Sequence, residues 1–158
     1  MRLLGVSTVY PSTLALKARE LDPFFYQAGD PESDAFHWFS FLDSPSNNDR
    51  EDKDSYECQI LVSWPYRAGT LGMKHPLDIP KENDERLRVM KAIAQNWAEP
   101  FREIIASIPE GTEVKSISLE DWIPPEEGWT GLEGAGKVVL VGDAAHAMTM
   151  CKSLCSAS

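Results

Sequence analysis

Ser55-Tyr56-Glu57-Cys58-Gln59-Ile60-Leu61-Val62-Ser63-Trp64 alternates with a period of two. Tyr56, Cys58, Ile60, Val62 and Trp64 fall on one side, with Glu57, Gln59 and Ser63 on the other. Successive side chains of a strand point to opposite faces, so this stretch predicts a strand with one face turned to a core. Upstream, Ala35-Phe36-His37-Trp38-Phe39-Ser40-Phe41-Leu42 is an aromatic-rich run of strand character. Phe36, Trp38, Ser40 and Leu42 share one face, while His37, Phe39 and Phe41 share the other. With large apolar groups on both sides, both faces are expected to be covered. Ser44 to Asp54 is the most polar segment of the chain and reads as an exposed connection. Residues 35–64 therefore predict an antiparallel hairpin with a polar loop.

Further elements surround this hairpin. Leu3 to Val9 predicts a strand, and Pro11-Ser12-Thr13 opens a short helix through Leu21, with Ser12 as its N-cap. From about residue 83 to 108, Leu87, Met90, Ile93, Ala94, Trp97, Phe101, Ile104 and Ile108 recur at spacings of three and four. That stripe predicts one long amphipathic helix. Asp84 and Glu85 sit near its start, where the dipole favours acids. Pro100 is expected to kink it or split it in two. Residues 113–123 alternate again through Ile117, Leu119 and Ile123, and Pro124-Pro125 ends them. The fold class is thus α+β: a mostly antiparallel sheet with one long helix.

Towards the end of the chain, Lys137-Val138-Val139-Leu140-Val141-Gly142-Asp143-Ala144-Ala145-His146 has a different character. Val138 to Val141 is apolar on both faces, as a central strand covered on both sides would be. Gly142 removes the Cβ where the chain leaves the sheet, so a ligand can lie against the backbone. Asp143 can accept hydrogen bonds from the hydroxyls of a ribityl or ribose chain. Ala144, Ala145 and Ala147 favour a following helix, whose N-terminus suits a pyrophosphate. The plainer alternative is a core strand followed by a helix capped by Asp143.

The full run resembles the second flavin-contacting motif of the FAD-dependent monooxygenases related to the aromatic-ring hydroxylases. The resemblance implies that Gly142 and Asp143 bind cofactor, with Asp143 on a flavin ribityl hydroxyl. It implies FAD, NAD(P)H as co-substrate, and O₂-dependent hydroxylation of a small aromatic substrate. In that family a mostly antiparallel sheet with attached helices covers the substrate. The Trp64-Pro65-Tyr66-Arg67 turn, the long helix and Ser118-Leu119-Glu120-Asp121-Trp122 look like that half. The domain reading that follows is residues 1–127 as the substrate-side region and 128–136, with four glycines, as a linker. Residues 137–158 would then be a remnant of an α/β FAD-binding domain.

Departures from the family are as informative. Its Gly-x-Gly-x-x-Gly turn has no counterpart, since the N-terminal portion carries only Gly5 and Gly29. Its middle Asp-Gly motif is missing too. Where the family continues through Pro into a Gly-rich turn, this sequence has Met150 and then Cys151-Lys152-Ser153-Leu154-Cys155-Ser156-Ala157-Ser158. That tail reads as a splice or frame boundary, with a natural short isoform as the alternative. One charge-assisted hydrogen bond contributes about 1–3 kcal/mol, against an ordering cost of several kcal/mol. The isolated chain is therefore expected to bind FAD weakly and to support no hydroxylation.

Composition narrows the remaining choices. A formal net charge of −10 over 158 residues argues against nucleic acid and against an anionic membrane surface. No apolar run approaches the roughly 20 residues needed to span a bilayer. Arg2 is followed by an apolar patch that Ser7 and Thr8 interrupt, which is not a secretion signal. Three cysteines without framework spacing fit a reducing compartment, and the cytoplasm is the expected location. Among rival functions, Asp143 and His146 could ligate a metal in a phosphoesterase, but further ligands would have to come from His37 or His75. Cys151 and Cys155 lack a second pair, and Cys58 belongs to a core face. A second class is a non-enzymatic interaction domain, with Phe36, Trp38, Phe39 and Trp64 lining an apolar pocket or partner surface. No residue is nominated as catalytic, and the oligomeric state is left open.

Overall fold

The alternating stretches do form strands in a computed structural model, which describes residues 1–47, 54–118 and 120. The chain divides into two units, Met1–Ile117 and Ser118–Ser158. In the first, β1 (Arg2–Pro11) leads into α1 (Ser12–Arg19), followed by β2 (Phe25–Asp30), β3 (Ala35–Asp43) and β4 (Ser55–Trp64). Then come α2 (Asn83–Ile93), α3 (Phe101–Ala106) and β5 (Val114–Ser116), with 3₁₀ turns at Thr70–Gly72 and Ala94–Asn96. The strands make one antiparallel sheet in the order β2-β3-β4-β1-β5.

Register turns the alternation of each strand into continuous rows. Val114, Val6, Ile60, Phe39 and Tyr26 stand side by side across all five strands, and all are buried. The neighbouring row on the same face runs Leu4, Val62, His37 and Ala28. Leu14, Ala15 and Ala18 of α1, Leu87, Met90 and Ile93 of α2, and Ile104 and Ile105 of α3 join these rows in one core. Two large polar-tipped residues enter that core with their polar atoms satisfied. The Tyr10 hydroxyl donates to the Ile104 carbonyl at 2.5 Å, and the Trp64 indole donates to the Leu77 carbonyl at 3.0 Å.

The second face is different. Leu3, Gly5, Ser7 and Val9 of β1 align there with Ser63, Leu61, Gln59 and Glu57 of β4, and with Phe36, Trp38 and Ser40 of β3. The described helices lie on the first face. Ile117 crosses over Gly5: a Cβ at that position would sit 2.6 Å from Ile117 Cδ1 and 2.8 Å from Leu61 Cδ2. Gly5 thus permits the close approach that lets Ile117 lie there, its N–H bonded to the Leu3 carbonyl at 3.0 Å.

Two expectations need correction, and two are met only in part. The helix across 83–108 is not one rod: α2 ends at Ile93, Trp97 is extended at φ −72° and ψ 153°, and α3 begins after Pro100. Proline removes a helical N–H and crowds the preceding turn, which accounts for a split at this place. The break nevertheless opens at Trp97, three residues earlier than the proline alone requires. The apolar stripe survives it, with Leu87, Met90, Ile93, Ile104 and Ile108 buried.

Ser12 does not cap α1. It is the first helical residue, Pro11 holds the cap position, and the Ser12 N–H donates to the Asp54 carbonyl at 3.0 Å. The two faces of β3 are not equally covered. His37 and Phe39 are buried, Phe36 and Trp38 only half-buried, and Leu42 is 52% exposed. The alternating segment 113–123 yields only Val114–Ser116 as strand, while Leu119 and Ile123 lie outside the described residues. Strand β2 was not foreseen. The expected linker 128–136 and the segment 137–158 also lie outside the described residues.

The asymmetry of the two faces sets different costs for substitution. Met90→Ala, in the core between α2 and the sheet, is expected to lower unfolding stability by about 2–5 kcal/mol. Val9→Thr, 43% exposed on the second face, is expected to change it by less than about 0.5 kcal/mol. Urea denaturation of the two variants beside the parent chain measures both.

Candidate functional site

Two surfaces in the first unit combine apolar walls with polar groups. The second sheet face is one. Phe25 of β2 stacks on Trp38 of β3, with ring centres 5.0 Å apart and planes within 12°. Phe36 and Leu61 lie beside them in register, half-buried, while Phe25 is 46% exposed. Neighbouring strands set cross-strand aromatic pairs close enough to stack, so this platform follows directly from the register of β2 on β3. Ser40 lies half-buried on the same face, opposite Phe25.

The other surface is a cavity of about 340 Å³ on the helix side, where the β2–β3 turn meets the break between α2 and α3. Ala28, Asp30 and Glu32 line it from the turn, His37 from β3, and Trp97 and Phe101 from the helical break. His37 is 1% exposed, and neither ring nitrogen has a hydrogen-bond partner among the described residues. Its ring stacks on Trp97 at 5.4 Å and meets the edges of Tyr26 at 5.3 Å and Phe101 at 6.1 Å. Burial pushes the imidazole down from 6.5 to about 4, because the charged form loses its water. His37 is therefore neutral at physiological pH, with one donor and one acceptor nitrogen.

Asp30 is its electrostatic opposite. The Ser33 hydroxyl donates to its carboxylate in a short bond and the Glu32 N–H donates at 3.1 Å. The Ser33 bond above all, helped by the backbone N–H groups of Glu32 and Ser33, holds the Asp30 carboxyl below the usual carboxylate range against the opposing effect of burial. The Trp97 indole adds to this, although its Nε1 completes no hydrogen bond. Asp30 thus presents a charged carboxylate at a cavity whose walls are aromatic.

The residues expected from the sequence are distributed unevenly. Gly142 and Asp143, expected at a flavin, lie outside the described residues, as do His146, Cys151 and Cys155. Phe39 and Trp64 are core and line no surface, whereas Phe36 and Trp38 do belong to one. Cys58 is buried in the core, as its strand face predicts. His75 is exposed on the connection between β4 and α2, and His37 is the buried residue of the cavity. Among the described residues no group of three or more His, Cys, Asp or Glu side chains could hold a metal ion. No described helix is long and apolar enough to cross a membrane. The sequence placed His37 on the strand face of Phe39 and Phe41 and offered it as a metal ligand, and placed Trp97 in the apolar stripe, without joining the two. A histidine on the core side of a strand was the available signal.

Similarity to known proteins follows the whole segment rather than either surface. The chain is 56% identical over 151 residues to a probable FAD-dependent monooxygenase of Arthroderma benhamiae, covering 95% of this chain and 34% of that protein. It is 34% identical over 149 residues to the FAD-dependent monooxygenase tazP of Aspergillus terreus, covering 94% and 36% respectively. It is 36% identical over 152 residues to the FAD-dependent monooxygenase dbaB of Emericella nidulans, again covering 94% and 36%. The chain thus spans about a third of the length of the curated relatives it matches. No family profile matches it, and no solved structure does.

The buried imidazole makes stability depend on pH. Above about 6.5 the group is neutral both folded and unfolded, and it contributes no slope. Between 6.5 and about 4 the unfolded chain takes up a proton that the folded chain refuses, so stability falls as pH falls. The loss across that window should reach roughly 3 kcal/mol. Urea unfolding at pH 7, 6, 5 and 4 should show it, and His37→Phe should flatten that part of the profile.

Proposed function

We propose, from the premise that this chain belongs with the FAD-dependent monooxygenases along nearly all of its length, that it supplies the substrate-covering part of such an enzyme. The observation that carries this reading is how the described residues divide between the two faces of the sheet. Its first face is filled by helices, and its second carries the stacked Phe25 and Trp38 with Phe36 and Leu61 beside them. A small aromatic substrate would lie on that platform, because a planar apolar ring gains both buried area and offset stacking there.

Among the described residues that surface presents aromatic and aliphatic side chains, which suit a substrate ring. Contact with FAD is proposed for Gly142 and Asp143, where the carboxylate accepts a hydrogen bond from a ribityl hydroxyl. When bound, FAD supplies the redox chemistry, taking electrons from NAD(P)H and activating O₂ for hydroxylation. The part of this chain is to hold the substrate ring against the sheet and keep water from it. One carboxylate contact does not offset the ordering cost of so large a cofactor. The 158-residue chain alone should neither retain stoichiometric FAD nor oxidise NAD(P)H.

A second reading rests on the exposure of Phe25 and Leu42, since apolar groups left open on a sheet also suit a protein partner. Light scattering and sedimentation would then show self-association or capture of apolar dye.

Grafting separates the two readings. The matched residues of this chain, exchanged for the corresponding segment of the Arthroderma benhamiae relative, should give a chimera that is yellow and oxidises NAD(P)H. Within it, Asp143→Ala should weaken FAD binding by about tenfold or more, and Trp38→Ala should raise KM for substrate. A chimera whose flavin content ignores Asp143→Ala would remove the flavin assignment. A yellow 158-residue chain with one FAD per molecule would overturn the inactivity of the isolated chain.

A further inference from the structure

The two edges of the sheet are finished differently. The Ile117 N–H bonds to the Leu3 carbonyl, so Gly5 and Lys115 are the next bonded pair of β1 and β5, and Val114 turns its N–H and C=O outward. Asn83 Oδ1 accepts from that N–H at 2.8 Å, and Arg86 Nη1 donates to that carbonyl at 3.1 Å. Side chains of α2 thus close the edge at Val114, which keeps it from pairing with another chain.

Nothing comparable closes β2 among the described residues. The Phe41 N–H bonds to the Phe24 carbonyl at 3.0 Å, which makes Tyr26–Phe39 and Ala28–His37 the bonded pairs with β3. Phe25, Gln27 and Gly29 therefore turn their main-chain groups away from the sheet. Asp22 occupies the Phe25 N–H, at 3.0 Å, and leaves those of Gln27 and Gly29 open. All three residues are exposed, and no side chain from Pro23 to Gly29 is charged in a chain of net charge −10. Lysine, a usual guard of an open edge, is absent from the strand.

We infer that β2 is the seam of a symmetric dimer, in which two copies of this chain join edge to edge into one sheet. A two-fold axis makes the paired strands antiparallel, and the sequence of β2 selects the register. With Gln27 opposite the partner's Gln27, each Gln27 N–H donates to the other's carbonyl, and each Gly29 N–H donates to the Phe25 carbonyl across the seam. A slip of two residues would set Gly29 opposite Pro23, or Phe25 opposite Pro31, and proline has no N–H to donate. The unslipped register also sets Phe25, 46% exposed, against the partner's Gly29. A Cβ on Gly29 would meet nothing within 4 Å, and Phe36 lies beside it on β3. An aromatic ring across from an edge glycine fills such a gap. The pairing needs only the edge of the sheet, and it stands whether or not the platform receives a substrate.

Sedimentation equilibrium of the 158-residue chain, from micromolar to millimolar concentration, should show a monomer–dimer equilibrium that shifts towards dimer with added salt, as repulsion between two acidic chains is screened. Gln27→Pro removes an outward N–H that β3 does not use, and should weaken the dimer at least about tenfold. Gly29→Lys, whose Cβ enters open space in the monomer, should do the same. Val9→Thr, on an exposed apolar residue two strands further in, should leave dimerisation unchanged. Mild oxidation of Gln27→Cys should link two copies at position 27, as peptide mapping would locate, because bonded antiparallel pairs stand at disulfide distance. A chain that stays monomeric throughout, a dimer indifferent to both Gln27→Pro and Gly29→Lys, or one that Val9→Thr weakens equally would overturn the inference.

Discussion

Everything described in the first unit depends on one row of side chains: Val114, Val6, Ile60, Phe39 and Tyr26, abreast across five strands. Because a one-residue slip in any strand would exchange its faces, the burial of this row fixes the register of all five together. Three consequences follow. The helices have only one apolar face to cover. The aromatic residues one position out of phase are left on the other face. His37, two residues before Phe39 along β3, is carried into the core whether or not it finds a partner there.

Legibility in the sequence followed from how strictly a segment obeyed a single period. Strand β4 could be read from its alternation, since Tyr56, Cys58, Ile60, Val62 and Trp64 are all buried on one face, although Ser63 on the other face is buried too. Strand β3 could be recognised as a strand, but its two faces could not be ranked, because aromatic residues occupy both. The long helical stripe was true as burial and false as a rod. Period alone does not register that Trp97 leaves the helix to stack on a histidine sixty residues away in sequence. Strand β2, Phe-Tyr-Gln-Ala-Gly-Asp, is short and weakly alternating, and only its pairing with β3 gives it form.

The two candidate surfaces illustrate different kinds of missing information. Phe36 and Trp38 were visible as aromatic residues on a strand, and the structure adds which side of the sheet they occupy. The cavity could not be seen from either of its halves. Asp30 lies in a turn, His37 on a strand and Trp97 at a helix break, and no local pattern links them. What joins them is tertiary: the antiparallel return of β2 on β3 brings Asp30 to His37's side of the sheet, and the early end of α2 swings Trp97 over it.

The energetic balance at His37 bears on why such an arrangement persists in an otherwise satisfied core. Leaving both ring nitrogens unpaired costs about 2–6 kcal/mol, while favourable ring–ring contacts return about 0.5–1.5 kcal/mol each. Three such contacts, with Tyr26, Trp97 and Phe101, offset part of that penalty. The histidine is therefore neutral to costly for folding. A hydrophobic residue in its place would satisfy the row Leu4–Val62–Ala28 more simply and remove the acid-sensitive group. Stability alone does not favour histidine at this position; its burial follows from the register that seats Phe39 two residues further along the same face.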